Sequence, residues 1–363
     1  MRILHTESSL GWGGQEIRVL TEARGVAARG HSVLLAAPAE SRIFAEASRH
    51  GVEAVALPIG RKRPRGLTAL RKLLSARAFD VVNTHSSTDS WLAALACATL
   101  AKPPALVRTR HISAPAPGNA ATRWLYTRAA RRIVTTGEKL RAQVIAETGA
   151  DPACVVSIPT GIDLARFRPG DRRAARGDLG LAQEAPLVGI VATLRSWKGH
   201  RYLIEAMAGI PGATLAIVGD GPQRETLEAL VRERGLADRV RFAGNQADVA
   251  PWLRAFDVFC LPSYANEGVP QALMQAMACA LPVVTTPVGS IEEIVADGET
   301  GVLVPPQEVE RLRAALGSLL ADTGRREALG HRAREAAAAR FGDERMVDRM
   351  IEVFAAASGA RDG

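Results

Sequence analysis

Short, uninterrupted runs of Val, Ile and Leu recur along this chain, each followed by a stretch of helical length, and the series runs twice. The first series places strands at residues 1–5, 31–37, 54–57, 81–85, 105–110 and 133–136. The second places them at 187–193, 214–218, 240–243, 258–261, 283–286 and 302–304. Runs that do not alternate with polar residues are buried on both faces, which is the signature of parallel sheets covered by helices. Between the series, residues 166–176 are polar and arginine-rich and read as a linker. With 363 residues the chain also exceeds one ordinary core. The expected fold class is therefore α/β, with two facing, Rossmann-like doubly wound domains and a central cleft.

Composition narrows the function. Hydrophobic residues at 47% with 23% charged place the chain among globular proteins rather than disordered ones. No uncharged apolar run reaches the ~18 residues that span a bilayer, and the start of the chain lacks a signal-peptide pattern. The expectation is a cytoplasmic protein, or one lying peripherally on the inner membrane face. Cys97, Cys154, Cys260 and Cys279 form no Cys-x-x-Cys pair and read as reduced thiols. Charge is unevenly spread: residues 1–165 hold 22 Lys+Arg against 12 Asp+Glu, while 166–363 hold 24 against 26. The excess collects at Arg61, Lys62, Arg63, Arg65, Arg71, Lys72, Arg123, Arg128, Arg131 and Arg132. It suits either a solvated face or an anionic partner such as a membrane surface. Nucleic acid is not expected, because aromatics are only 4% and no recognition motif accompanies the charge.

The densest functional signal lies in residues 257–305. An apolar strand ends at Leu261, a polar loop carries Glu267 and Gly268, and Pro270 opens a helix. Glu267 thus sits at the carboxyl end of a strand, ahead of a helix N-terminus that favours anions. Gln275 lies one turn into that helix and leans back toward the same place. In the first half, Gly11, Gly13 and Gly14 lead from the first strand into the helix expected at 15–29, a loop that permits close approach of a phosphate. A turn with no ligand explains that loop nearly as well.

The ordered set Trp197-Lys198-Gly199-His200, Val218-Gly219-Asp220-Gly221-Pro222, Glu267-Gly268-Val269-Pro270, Leu281-Pro282-Val283-Val284 and Asp297-Gly298 resembles the retaining glycosyltransferases of family 4, with the GT-B fold. Gly13-Gly14-Gln15-Glu16, Arg110-His111 and Pro159-Thr160-Gly161 agree in the first half. The resemblance covers nearly the whole chain. It implies an acceptor-binding domain at 1–165, a nucleotide-sugar-binding domain at 166–342, and a C-terminal helix within 343–363 that crosses back toward the first domain. It implies transfer of a sugar, with retention and without metal, from a nucleoside diphosphate sugar (UDP favoured over GDP) to a glycan or lipid-linked acceptor, in cell-surface polysaccharide or lipopolysaccharide synthesis. No cofactor is expected.

On this resemblance Glu267 and His111 border the reacting sugar. Arg195, Lys198, Gly268 and Val269 hold the diphosphate, Asn245 meets the base, and Gly13 and Gly14 approach the donor from the first domain. His85 is read as a loop histidine shaping the acceptor site. Two positions depart from the family pattern. Thr193 stands where an arginine is usual, and Gln275 stands where a second acid holds the ribose. Those departures keep a binding protein without transfer activity as an alternative, beside a sugar-nucleotide epimerase on the same fold.

Overall fold

Strand order, more than strand content, decides where this chain can bind anything. The computed structural model describes residues 1–112 and 114–359, and the chain divides into two units. One holds Met1–Gly161 and the chain from Asp343 onward; the other is Ile162–Gly342. The division falls ahead of the boundary expected after residue 165, and residues 360–363 of the expected terminal segment lie outside the described residues.

The first unit contains strands β1 (Arg2–Thr6), β2 (Ser32–Ala37), β3 (Ala54–Ala56), β4 (Val81–Thr84), β5 (Ala105–Arg110), β6 (Arg132–Thr135) and β7 (Val155–Ser157). They form one parallel sheet in the order β3-β2-β1-β4-β5-β6-β7. Strand β7 is the one the sequence pattern misses, because three residues at a sheet edge give no run to read. Consecutive residues of a strand face opposite sides. Leu4, Val82, Leu106 and Ile133 accordingly enter one core, and Ile3, Val81, Val107 and Val134 the other. The second of these faces is covered by Met346, Met350 and Phe354 of the helix Asp343–Ser358. That helix lies so close to the helix Gly14–Ala28 that a Cβ on Gly25 would come within 2.4 Å of Val347.

The second unit contains β8 (Leu187–Val191), β9 (Thr214–Val218), β10 (Val240–Gly244), β11 (Val258–Leu261), β12 (Val283–Thr285) and β13 (Val302–Leu303). All pair in parallel, in the order β10-β9-β8-β11-β12-β13. Both sheets are doubly wound and Rossmann-like. Among the described residues no helix is long and apolar enough to cross a membrane.

The arginine-rich stretch expected as a linker is instead built into the second unit. Residues Arg172–Asp178 form a helix capped by Asp171, whose carboxylate accepts from the N–H groups of Arg173 and Ala174. Arg176 is 2% exposed and donates to Asp257 at 2.7 Å, to the carbonyl of Ala255 at 2.9 Å and to that of Gln183 at 2.6 Å. Asp257 also accepts the N–H of Leu187, which ties the starts of β8 and β11 together. A local reading sees only charge density; the partner that buries Arg176 lies 81 residues away. Removing one member of a buried, hydrogen-bonded pair leaves the other charge uncompensated, at a cost of about 3–5 kcal/mol. Asp257→Ala should lower stability by about that much in urea melts, and more than Asp248→Ala at the exposed pair with Arg166.

Candidate functional site

In the second unit the strand order reverses between β8 and β11, and open parallel sheets bind ligands at the carboxyl ends of strands at such a reversal. The loop after β8 turns through Ser196–Lys198 into the helix His200–Ala208. Lys198 leaves this loop and reaches Glu267, which follows β11, with Nζ 2.6 Å from Oε1. Ser263 donates to the same oxygen at 2.6 Å. Glu267 is 4% exposed while the Lys198 side chain is 21% exposed, so the carboxylate is held inside and the ammonium keeps access to solvent.

Two glycines make this approach possible. At Gly199 φ is +77°, and a Cβ would lie 1.9 Å from the Pro262 carbonyl oxygen. At Gly289 φ is +62°, and a Cβ would lie 1.9 Å from the carbonyl oxygen of Glu267 itself. Only glycine lets the neighbouring loops close on the carboxylate.

Other expected residues occupy the same edge. Gly268 and Val269 lie between Glu267 and the helix Gln271–Ala278, and Gln275 is half-buried one turn into it. Arg195 is exposed, its guanidinium 5.7 Å from the Trp197 ring centroid, and Thr193 is exposed beside it. Asn245 is exposed just past β10. In the first unit, Gly13 caps the helix Gly14–Ala28 with φ −175°, extended backbone that any residue adopts. A Cβ there would meet Glu16 at an ordinary 3.8 Å, so the fold itself does not require glycine at this position.

The first sheet reverses between β1 and β4, and its carboxyl edge is far more polar than the sequence suggested. Glu7, Asp89, Ser86 and Gln15 form one network: Gln15 donates to Glu7 and to Ser86, Ser86 donates to Glu7, and Asp89 accepts from Thr6, Ser8 and the N–H groups of His85 and Ser86. Burial, with Asp89 alongside, pushes Glu7 up to about 7, and burial pushes Asp89 up to about 6. His85 stands in the loop between β4 and the helix Ser87–Ala98, as expected, and is also a buried member of a histidine column. Its Nε2 lies 3.0 Å from His5 Nδ1, and its Nδ1 lies 3.0 Å from His111 Nε2. Nothing in the local pattern marks His5, because an inward residue of a buried strand looks the same whether it meets a core or a site.

His111 and His85 line a cavity of about 430 Å³ with Lys62, Arg108, Arg110, Trp91 and Tyr126. Its described lining holds three cations and no carboxylate. Arg110 is spent on structure, donating to Tyr126 Oη and to the carbonyls of Ile112 and Ala114. Arg108 is 8% exposed and stacks 4.8 Å above the Tyr126 ring, and its Nε and Nη1 have no hydrogen-bond partner among the described residues. A buried guanidinium with donors to spare invites an anion.

Among the described residues one group has the closeness of a metal site: His5, Glu22 and His85, with ligand atoms within 4.8 Å of one another. The Arg18 guanidinium, 3.7 Å from Glu22, brings a positive charge to the same spot and opposes a cation. All four cysteines are free thiols.

His200, just past Lys198, is 1% exposed, and neither ring nitrogen has a partner among the described residues. Burial, with Lys198 nearby, lowers it to about 3. The folded chain therefore binds fewer protons than the unfolded chain below pH 6.5, and stability held above that pH is lost as pH falls. Between pH 7 and 5 this amounts to about 2 kcal/mol. Urea melts at the two values should show His200→Leu losing less stability than wild type by that margin.

Residues 12–166 match the model for glycosyltransferase family 4, and residues 171–336 match that for glycosyl transferases group 1. The chain is 37% identical over 238 residues to a D-inositol 3-phosphate glycosyltransferase of Mycobacterium tuberculosis, a match that takes in 63% of this chain and 49% of that protein. The chain thus spans about half the length of the curated relatives it matches. Among solved structures it is similar to a sucrose-phosphate synthase of Thermosynechococcus elongatus, with TM-score 0.86, 25% identity and coverage of 99% of this chain and 100% of that one. The fold is also that of HepE from Anabaena, solved in complex with UDP, with TM-score 0.86, 22% identity and coverage of 98% and 100%. With matching family models over both halves and two parallel Rossmann-like sheets, the chain belongs to glycosyltransferase family 4 and has the GT-B fold.

Proposed function

We propose that this chain is a retaining, metal-independent glycosyltransferase that takes a sugar from a nucleoside diphosphate sugar, UDP before GDP. The observation that carries this reading is the Lys198–Glu267 contact at the strand reversal of the second sheet. Lysine has three donors, so Lys198 can keep Glu267 and still meet a phosphate oxygen. Charge that builds on the departing diphosphate is then met by Lys198, by Arg195 and by the backbone N–H groups of Gly268 and Val269. Glu267, fixed by Ser263 and Lys198, faces the sugar as the single ordered carboxylate, and Asn245 and Gln275 meet the nucleoside. Front-face attack brings the acceptor hydroxyl in on the side from which the diphosphate leaves. The family 4 pattern assigns His111 to the reacting sugar and Gly13 and Gly14 to the donor.

The acceptor belongs to the cavity beside His111. Three cations without a carboxylate, one of them the under-used Arg108, suit a glycan or lipid-linked acceptor that carries an anionic group such as a phosphate. The Mycobacterium relative is named for D-inositol 3-phosphate, a phosphate of this kind, which supports this reading. The exposed basic residues Arg61, Lys62, Arg63 and Arg65 suit an anionic leaflet, which favours a peripheral place on the inner membrane face and a role in cell-surface or lipopolysaccharide synthesis. Gln275 and Thr193 favour a second reading, a nucleotide-sugar-binding protein without transfer.

Thermal shift against UDP, GDP and their sugars, with and without a divalent metal, tests the donor half. Stabilisation by one nucleotide that is independent of metal is expected. Lys198→Ala should weaken it roughly tenfold to a hundredfold, the worth of a lost charge-assisted hydrogen bond. No shift with any nucleotide would overturn the reading, and binding without turnover of any tested donor would favour the second. For the acceptor half, Arg108→Ala should raise the KM for a phosphorylated acceptor while leaving the nucleotide shift unchanged. Flotation with anionic and neutral vesicles at low salt tests the membrane; equal recovery on both would remove it.

A further inference from the structure

The polar interior of the first unit contains a row of three histidines, with a buried carboxylate close by, that the transfer reaction as proposed does not use. His111 lines the cavity, and its Nε2 is spent on His85, which leaves Nδ1 as the ring nitrogen for a ligand. His85 passes the contact to His5, whose ring lies parallel to it with centroids 5.3 Å apart. Phe354 of the terminal helix packs edge-on against His5 from the other side. Glu22 lies close to the two histidines: a ring nitrogen of His5, one of His85 and a carboxylate oxygen of Glu22 are within 4.8 Å of one another. Glu22 accepts from Asn83 at 2.9 Å, while His5 Nε2 and Glu22 Oε2 have no hydrogen-bond partner among the described residues. A link between these two atoms requires a small side-chain shift or one bridging water.

We propose that Glu22, through His5 and His85, sets which way His111 presents its proton to the cavity. The logic follows from counting protons. A neutral imidazole carries one proton, so a nitrogen that donates forces its other nitrogen to accept. When Glu22 is ionised it accepts from His5 Nε2–H. His5 Nδ1 then accepts from His85 Nε2–H, and His85 Nδ1 accepts from His111 Nε2–H. His111 Nδ1 is left bare, a hydrogen-bond acceptor for a sugar hydroxyl. When a proton enters at His111 Nδ1, each imidazole proton moves one place along the column and Glu22 becomes the carboxylic acid. His111 Nδ1 is then a donor. No imidazolium forms in either state, and one proton added at the cavity equals one proton gained by Glu22. The ionised state is the productive one, because a bare nitrogen can orient the attacking hydroxyl.

The surroundings support this division of labour. Burial lowers His5 to about 4 and lowers His85 and His111 well below the ordinary histidine value, with Arg18 adding to both, so the column stays neutral near pH 7. Burial raises Glu22 to about 7, against the pull of Arg18 and Asn83. The charged and titratable groups at the column are Arg18 on the helix that carries Glu22, Arg108 on β5, which acts on His111, and Asp89, which accepts the His85 N–H and in turn acts on Glu7. Glu7 and Asp89 also titrate in this range, so a pH dependence alone does not assign the effect to Glu22.

The inference rests on His111 bordering the transferred sugar. Its test reads the proton directly: nitrogen NMR of the full chain labelled in histidine distinguishes the two tautomers without any turnover. In wild type the His111 tautomer should exchange from Nδ1–H to Nε2–H as pH rises through about 7. In Glu22→Gln the amide oxygen can still take the Asn83 bond while its NH2 donates to His5, so His111 should stay in the Nδ1–H form at every pH. His5→Phe should break the link and leave His111 indifferent to both. A His111 tautomer that follows pH equally in wild type and Glu22→Gln would overturn the proposal and point to Glu7 or Asp89. With UDP-glucose hydrolysis as the activity probe, Glu22→Gln should lower kcat tenfold or more with little change in KM. An unchanged kcat in His111→Ala would instead sink the placement of His111, whatever the NMR shows.

Discussion

Parallel pairing is the constraint on which the rest of this structure depends. In a parallel sheet every strand delivers its carboxyl end to one edge, and each connection must travel back past the sheet before the next strand begins. Where the order reverses, between β1 and β4 and again between β8 and β11, neighbouring loops diverge and leave an opening. The side chains that matter stand at those openings. Lys198 and Glu267 are 69 residues apart, and His5 and His85 are 80 apart, yet each pair is brought into contact by two adjacent strand ends.

The two openings use that geometry differently. The one in the second unit is lean: a carboxylate, an ammonium and a serine hydroxyl, held by glycines whose missing side chains let three loops meet. The one in the first unit is dense with buried polar groups. Desolvation there holds histidines neutral and raises carboxylates toward neutrality, so small electrostatic differences decide where a proton sits. Burying this many titratable groups costs stability unless their bonds are made. The terminal helix contributes to that enclosure, since Phe354 closes the His5 end of the column and Met346 and Met350 complete the adjoining core.

Much of this architecture is legible in the residues. Val258–Leu261 and Thr214–Val218 announce themselves as buried strands, and Pro270 correctly marks the start of a helix. Strand β7 escapes because it is short, and the helix Arg172–Asp178 escapes because its arginines look solvated until Asp257 is seen beside Arg176. His85 does lie in a loop, as its position after a strand suggests, but its burial beside His5 and His111 cannot be read locally. Burial belongs to the assembled sheet and not to the local sequence.

By itself the sequence determined the alternation of strands and helices, the glycines and proline that punctuate the loops, and the motifs that mark a family 4 glycosyltransferase. Periodicity and turn chemistry act over a few residues, so they can be read along the chain. Only the tertiary structure decided that Lys198 grips Glu267, that Arg108 keeps donors unspent within a cavity free of described carboxylates, and that His5, His85 and His111 stack into one column. Those relations depend on strand order and register, which bring together positions that no local pattern connects.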